Sequence, residues 1–332
     1  MQNTNLTEKK KFSFNTNAFL SEYGLYVILA ILFIAFTIMS PSFFRAQNFM
    51  NILMNVSVVG IIATAMTIAI IGWGPDLSVG STVAFVGSLQ AYLVVSLGLP
   101  WYVGIIASLA AGALIGLING IVSVKFNLAP FIVTLAMMNV VRGLSFVLVD
   151  GQSTNMLNSP ELTYLGVRKF DLGEVIPALP LCVIVLIISF IVFHIIASKT
   201  TFGRHIYACG GNRVAARLAG INTNKIGISL FVMTGFMGAI AGCVMVGLSG
   251  FAMPSVGESY ALDIITAVIL GGTMLSGGKG RVSRTFIGVL IIGILNNGMG
   301  LLRFQSFWQT TAKGLFLMLA IILDSLQHKS KN

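Results

Sequence analysis

The chain has 332 residues, of which 56% are hydrophobic and only 9% charged, and it carries a net charge of +10, with a mean hydropathy of +0.93. A soluble domain carries roughly 25% charged residues, so this composition excludes an ordinary water-soluble enzyme and describes a chain solvated mostly by lipid and by itself. The basic residues sit between apolar runs rather than in a patch interleaved with aromatics, which speaks against nucleic acid as a partner.

A membrane crossing needs about 20 mostly apolar residues, and ten segments have that character: 23–39, 52–71, 80–97, 102–122, 130–149, 176–196, 226–248, 262–275, 285–302 and 308–326. The expected fold is an all-α polytopic membrane protein of about ten transmembrane helices. It forms a single domain over 23–326 between a polar tail at 1–22 and a short tail at 327–332. No small-residue cleavage pattern follows the first apolar run, so that run is a retained span.

The break between the second and third segments reads Gly72-Trp-Gly-Pro-Asp-Leu-Ser-Val-Gly80. Pro75 and the glycines interrupt a continuous helix, and irregular backbone at membrane depth needs protein or water around it. Asp76, with Ser78, is therefore a candidate gate or pathway residue. The alternative is that the pair caps the start of the third span. The fourth span carries Gly112, Gly116 and Gly120 at four-residue steps, and the seventh carries Gly238 and Gly242. Small residues at that spacing let a second helix approach backbone to backbone, whether as sliding surfaces or as static packing. In the fifth span Thr134, Asn139 and Arg142, and in the ninth Asn297, are polar groups inside apolar runs. They suit a path for a neutral polyhydroxylated solute, and helix-to-helix hydrogen bonding explains them equally well. Among acidic groups inside the spans, only Asp76 stands out as a coupling-ion candidate.

Residues 198–225 form the one long basic stretch inside the chain, with five Lys/Arg and no Asp or Glu. Within it, Asn212 reads as the N-cap of a short helix that Gly220 stops, because Asn accepts orphan N–H bonds and Gly takes the left-handed conformation. A discrete helix beside the membrane suits a soluble partner, and a plain solvated loop is the competing reading. Leu275-Ser-Gly-Gly278 has the letters of the signature loop of ABC-type ATPases, but the chain has no G-x-x-x-x-G-K-[ST] phosphate cradle. It therefore carries no ATPase of its own. No cofactor or metal pattern is present: His194, His205 and His328 are scattered, as are Cys182, Cys209 and Cys243.

Basic residues concentrate on the cytoplasmic side of membrane proteins. Lys9, Lys10 and Lys11 place the N-terminal tail inside. Ten crossings then bring Lys125, the 198–225 stretch, Lys279, Arg281, Arg284, Lys329 and Lys331 to the same side. The opposite loops hold Asp150, Glu161, Asp171 and Glu174 against Arg168 and Lys169, and Glu258 with no basic residue beside it. Both termini are thus expected to be cytoplasmic. No segment outside the spans is long enough for a soluble energy-coupling domain, which must come from another chain.

Five motifs resemble the permeases of the ribose-type monosaccharide ABC importers: residues 74–81 (GPDLSVGS), 130–135 (PFIVTL), Arg142-Gly143, 210–221 (GGNRVAARLAGI) and 270–281 (LGGTMLSGGKGR). The likeness runs over nearly the whole chain, and Trp73 to Pro75 departs from it. The resemblance implies a fold like that of the cobalamin importer permease in the bacterial inner membrane. It also implies a second permease copy (identical or related), ABC ATPase subunits at the cytoplasmic face and an extracytoplasmic sugar-binding protein. The family's ATPase-coupling helix falls on Asn212, Arg213, Ala215, Ala216, Arg217, Ala219 and Gly220, which makes 198–225 a cytoplasmic coupling loop. An ion-coupled secondary carrier for a small polar solute is the alternative. A membrane-embedded transferase or hydrolase is disfavoured, because no His/Asp/Glu cluster lies within the spans.

Overall fold

The computed structural model describes residues 16–170 and 178–329. Lys9, Lys10, Lys11, Asp171, Glu174 and Lys331 lie outside the described residues. The helices, in chain order, are α1 (Thr16–Met39), α2 (Ala46–Gly72), α3 (Val79–Gln90), α4 (Trp101–Lys125), α5 (Pro130–Leu148), α6 (Pro160–Val167), α7 (Leu181–Lys199), α8 (Thr201–Gly211), α9 (Arg213–Leu218), α10 (Thr223–Ser249), α11 (Tyr260–Leu270), α12 (Val282–Leu301) and α13 (Ser306–Lys329). A π-helical turn, Ala91–Ser96, extends α3. Two short antiparallel pairings tie down the connections: Thr154–Asn155 pairs with Phe251–Ala252, and Lys169–Phe170 with Leu179–Pro180.

Among the described residues, seven helices are long and apolar enough to cross a membrane: α2, α3 with its π-helical extension, α4, α5, α7, α10 and α12. The chain is an all-α polytopic membrane protein. The predicted segment 262–275 differs from expectation. Its helix, α11, ends at Leu270, is about 16 Å long at 1.5 Å per residue, and covers roughly half of a ~30 Å hydrocarbon core. Gly271 and Gly272 follow it, and Gly272 adopts φ +81°. The glycines that made this segment look short also end its helix. The basic stretch differs too. It is almost wholly helical, since α8 precedes α9 and α10 begins at Thr223.

The core is built around α2, which is buried on every side from Val56 to Gly72 apart from Val59. A helix apolar all round belongs in the interior of a bundle. Without a hydrophobic drive between helices in lipid, close backbone approach must supply the attraction. The α4 glycine row does this against α10. A Cβ at Gly116 would collide with the Phe231 carbonyl, one at Gly112 would reach Gly235, and one at Gly120 would come within 2.9 Å of the Ile228 Cα. Gly238 and Gly242 do not face that row. They seat α3 instead, on Thr82 and Val86. The glycine of α10 that meets α4 is Gly235.

Candidate gating junction and docking helix

The first candidate site is the break between α2 and α3. The helix stops where Pro75 can no longer donate, and the N–H groups of Trp73 and Gly74 both close on the Ala69 carbonyl at 2.8 Å. Asp76 follows, fully buried. Its Oδ1 accepts the Ser78 backbone N–H at 2.9 Å and the Ser78 hydroxyl at 2.6 Å. Its Oδ2 accepts the Thr234 hydroxyl of α10 at 2.7 Å. Asn119 of α4 donates to Ser78 Oγ at 2.9 Å and stands 3.5 Å from Asp76 Oδ1.

A buried carboxylate is costly unless its lone pairs are filled, and hydrogen bonds to a charged acceptor are the strong ones. This arrangement fills them from the Ser78 turn, α4 and α10. Asp76 closes a turn onto the residue two positions on, and α3 itself begins at Val79.

The other predicted polar residues do not join this junction. Thr134 is buried and returns its hydroxyl to Pro130 O at 2.9 Å. Asn139 is exposed and donates to Leu135 O at 3.1 Å. Arg142 crosses to the loop before α11, where its Nη1 donates to Pro254 O at 2.6 Å and Val256 O at 2.7 Å. Asn297 exchanges two 3.0 Å amide bonds with Asn48, joining α12 to α2.

Sequence reasoning missed Asn119 and Thr234, although each is a polar side chain one residue from a packing glycine, Gly120 and Gly235. It also missed a second buried acid, Asp263, paired with Lys313 at 2.8 Å. Along α3 and α4, the Ser81, Ser88 and Ser108 hydroxyls, Gln90 Oε1 and Asn119 Oδ1 are buried without a protein hydrogen-bond partner.

The second site is α9. Asn212 Oδ1 accepts the Ala215 N–H at 3.0 Å, capping its start. At its end Ala219 and Ile221 donate to Ala215 O and Ala216 O at 3.0 Å, with Gly220 in the left-handed region at φ +84°. Asn222 then caps α10 through the Lys225 N–H, and Thr200 caps α8 through the Gly203 N–H. Three capped helices in succession turn this stretch into a fixed platform.

Ala216 faces the body, while Val214 and Leu218, one turn apart, are 71% and 85% exposed. The two arginines fold back rather than outward. Arg217 reaches Thr223 Oγ1 at 3.5 Å. Arg213 lies 3.8 Å over the Trp73 ring and donates to Trp73 O at 2.7 Å.

The platform is braced from below by the glycine turn at 275–281. Gly277 and Gly278 adopt φ +84° and +72°, the Gly278 N–H reaches Ile71 O at 2.8 Å, and a Cβ at Gly210 would strike that same carbonyl. Tyr207 donates its hydroxyl to Gly280 O at 2.9 Å. Burial pushes the Tyr207 phenol above its ordinary value, against the opposing pull of Arg281, so it remains a donor at neutral pH. The Leu275-Ser-Gly-Gly278 letters therefore describe a packing turn. Between turn and platform lies a polar cleft of about 230 Å³ bordered by Ile71, Trp73, Asn212 and Arg213.

Residues 48–324 match the family described as branched-chain amino acid transport system / permease component. The ribose import permease protein RbsC of Bacillus subtilis (strain 168) is 40% identical over 318 residues, covering 96% of each chain. RbsC of Escherichia coli (strain K12) is 39% identical over 93% of this chain and 95% of its own. The L-arabinose transport system permease protein AraH of Escherichia coli (strain K12) is 36% identical over 97% and 95%. No solved structure matches the chain.

Proposed function

Because the chain belongs to the branched-chain amino acid transport system / permease component family, we propose that it is the membrane-spanning subunit of an ATP-driven importer for a neutral monosaccharide in the bacterial inner membrane. It is a transport subunit and not an enzyme. The family description names amino acids, but relatives that match along almost the whole chain include ribose and arabinose permeases. The sugar reading follows those relatives. ATP hydrolysis belongs to a separate subunit.

One observation carries the energy-coupling reading: a helix capped at both ends by Asn212 and Gly220 offers two exposed apolar side chains, Val214 and Leu218. An amphipathic helix with anchors one turn apart is the usual way to fill a partner's groove. Asn212 to Gly220 thus docks the ATPase, with Ala215 and Ala219 leaving room for close approach.

The complete importer adds a second permease copy and an extracytoplasmic sugar-binding protein. In this reading the chain crosses the membrane ten times in a cobalamin-importer-like arrangement, with both termini cytoplasmic. The seven helices long enough to cross, the shorter apolar helices Tyr23–Met39 and Tyr260–Leu270, and the charge asymmetry of the loops support it. The Asp76–Ser78 junction acts as the gate of the broken span. Thr134, Asn139, Arg142 and Asn297 are the further polar groups of the proposed path. The partnerless polar atoms on α3 and α4 support a wetted interior near that gate.

Reconstitution in proteoliposomes with the ATPase and binding protein tests this reading, with ribose, arabinose and leucine as cargoes. Sugar uptake should require ATP and survive collapse of the ion gradients. Uptake that persists without ATP and disappears with the gradient would replace it with an ion-coupled carrier, and leucine uptake would overturn the cargo.

A further inference from the structure

Trp73 opens the stretch, Trp73 to Pro75, at which this chain departs from the motif it otherwise follows, and it touches both the proposed docking helix and the helices that hold Asp76. It ends α2, three residues before Asp76. Its indole N–H donates to Ser123 Oγ, at the end of α4, at 3.4 Å. Its ring lies on Gly227, at the start of α10, where an added Cβ would come within 2.7 Å of it. Its face and its carbonyl both hold Arg213, the first residue of α9.

We infer that Trp73 and Arg213 form the link between the docking helix and the gate, so that displacement of α9 is transmitted to the Asp76 junction.

Three physical effects draw Arg213 inward. The last carbonyls of a helix lack intrahelical partners, and the Trp73 carbonyl just beyond α2 takes the guanidinium as its donor. The negative end of the α2 dipole favours a cation there. The indole face attracts the same cation. Arg213 directly follows the Asn212 cap, so no flexible segment separates it from α9.

On the other side, Trp73 and Asp76 engage the same two helices on the same faces. Ser123 is four residues from Asn119 on α4, and Gly227 is seven residues from Thr234 on α10. Residues at those spacings share one helical face. Trp73 and Asp76 therefore occupy a single α4–α10 groove, one to two turns apart. A shift of the indole moves along the groove that holds the carboxylate.

The inference rests on the docking role of α9, and it is tested on the complete importer in proteoliposomes. The readout is ATP hydrolysed per solute transported, together with the amount of ATPase retained by the purified permease. A variant that merely folds less well lowers both rates and leaves that ratio unchanged. Trp73→Phe keeps a ring face over the guanidinium and should stay near the wild-type ratio. Trp73→Leu keeps apolar bulk without the ring face. It and Arg213→Ala should each raise the ratio roughly fivefold or more, the usual scale of coupling between sites, with the ATPase still bound. The Trp73→Leu/Arg213→Ala double variant should be no worse than either single, because both remove one link.

A Trp73→Leu ratio equal to wild type, or losses that multiply in the double variant, would overturn the link. So would release of the ATPase by Arg213→Ala, which would make that residue a docking contact. Should Trp73→Leu fail to assemble, Arg213→Ala and Trp73→Phe decide the matter. A wild-type importer that moves solute without ATP removes the functional reading and this link together. A wild type that couples normally while Arg213→Ala matches it removes the link alone.

Discussion

Lys313 of α13 places its ammonium 2.8 Å from Oδ2 of Asp263 in α11. The two side chains are only 18% and 8% exposed. Charges inside apolar segments are tolerated when they pair, and here the pair fastens the short helix α11 to α13. Asp76 is therefore not the only acid buried in the bundle, as the sequence alone implied.

Removing one partner should expose the cost of the other. Lys313→Met leaves a carboxylate without its counter-ion and should lower stability by about 3–5 kcal/mol, whereas the Lys313→Met/Asp263→Leu double variant should recover most of the loss. Denaturation midpoints in detergent read both. A single variant with wild-type stability would show that the pair is solvated and unimportant.

The α4–α10 contact depends on missing side chains. Gly116→Val drives a branched side chain into the Phe231 carbonyl and should cost at least the ~1–3 kcal/mol typical of overpacking. Gly300→Ala, with no heavy atom within 4 Å of the added methyl, is the control and should stay close to wild type. Equal midpoints for the two variants would contradict the packing described here.

Asp76 is held by donors from three elements, so the kind of replacement matters. Asp76→Ala strands the Ser78 donors inside the bundle and should lose about 2–3 kcal/mol, the scale of hydrogen bonds to a charged group. Asp76→Asn should cost markedly less. Its remaining oxygen still serves Ser78, and Thr234, whose single hydroxyl proton can turn to Phe231 O at 2.9 Å, can accept from the new amide. Transport by the Asn variant then separates loss of the carboxylate from loss of the Ser78 contacts. Equal losses for the two variants would mean that the hydrogen bonds are not what stabilises the junction.

The outer face of α9 proposed to dock the ATPase is apolar and already solvated. Val214→Glu and Leu218→Glu change side chains that are 71% and 85% exposed, so stability should remain within about 0.5 kcal/mol of wild type while co-purification of the ATPase is lost. Gly220→Val meets no steric contact, but φ +84° should cost it about 1–2 kcal/mol of backbone strain and weaken docking less completely. Retention of the ATPase by both glutamate variants would refute α9 as the contact.

Composition and hydropathy alone determined that this chain is an all-α polytopic membrane protein, and the missing phosphate loop that its ATPase is a separate subunit. The sequence also determined the ends of α9, because the Asn212 cap and the Gly220 turn are interactions among residues three to five positions apart. It showed that α4 carries a face for close packing, since periodicity along one helix needs no partner to be visible.

Only the tertiary structure decided what each face meets. Gly116 finds Phe231 and Gly235 rather than Gly238, Asp76 finds Thr234 158 residues away, Arg213 turns inward to Trp73, and Asp263 finds Lys313. In a chain apolar nearly everywhere, hydrophobicity places residues in the bundle without specifying which helices adjoin. Backbone fit and hydrogen-bond satisfaction choose among the possible neighbours, and both exist only once the helices are assembled.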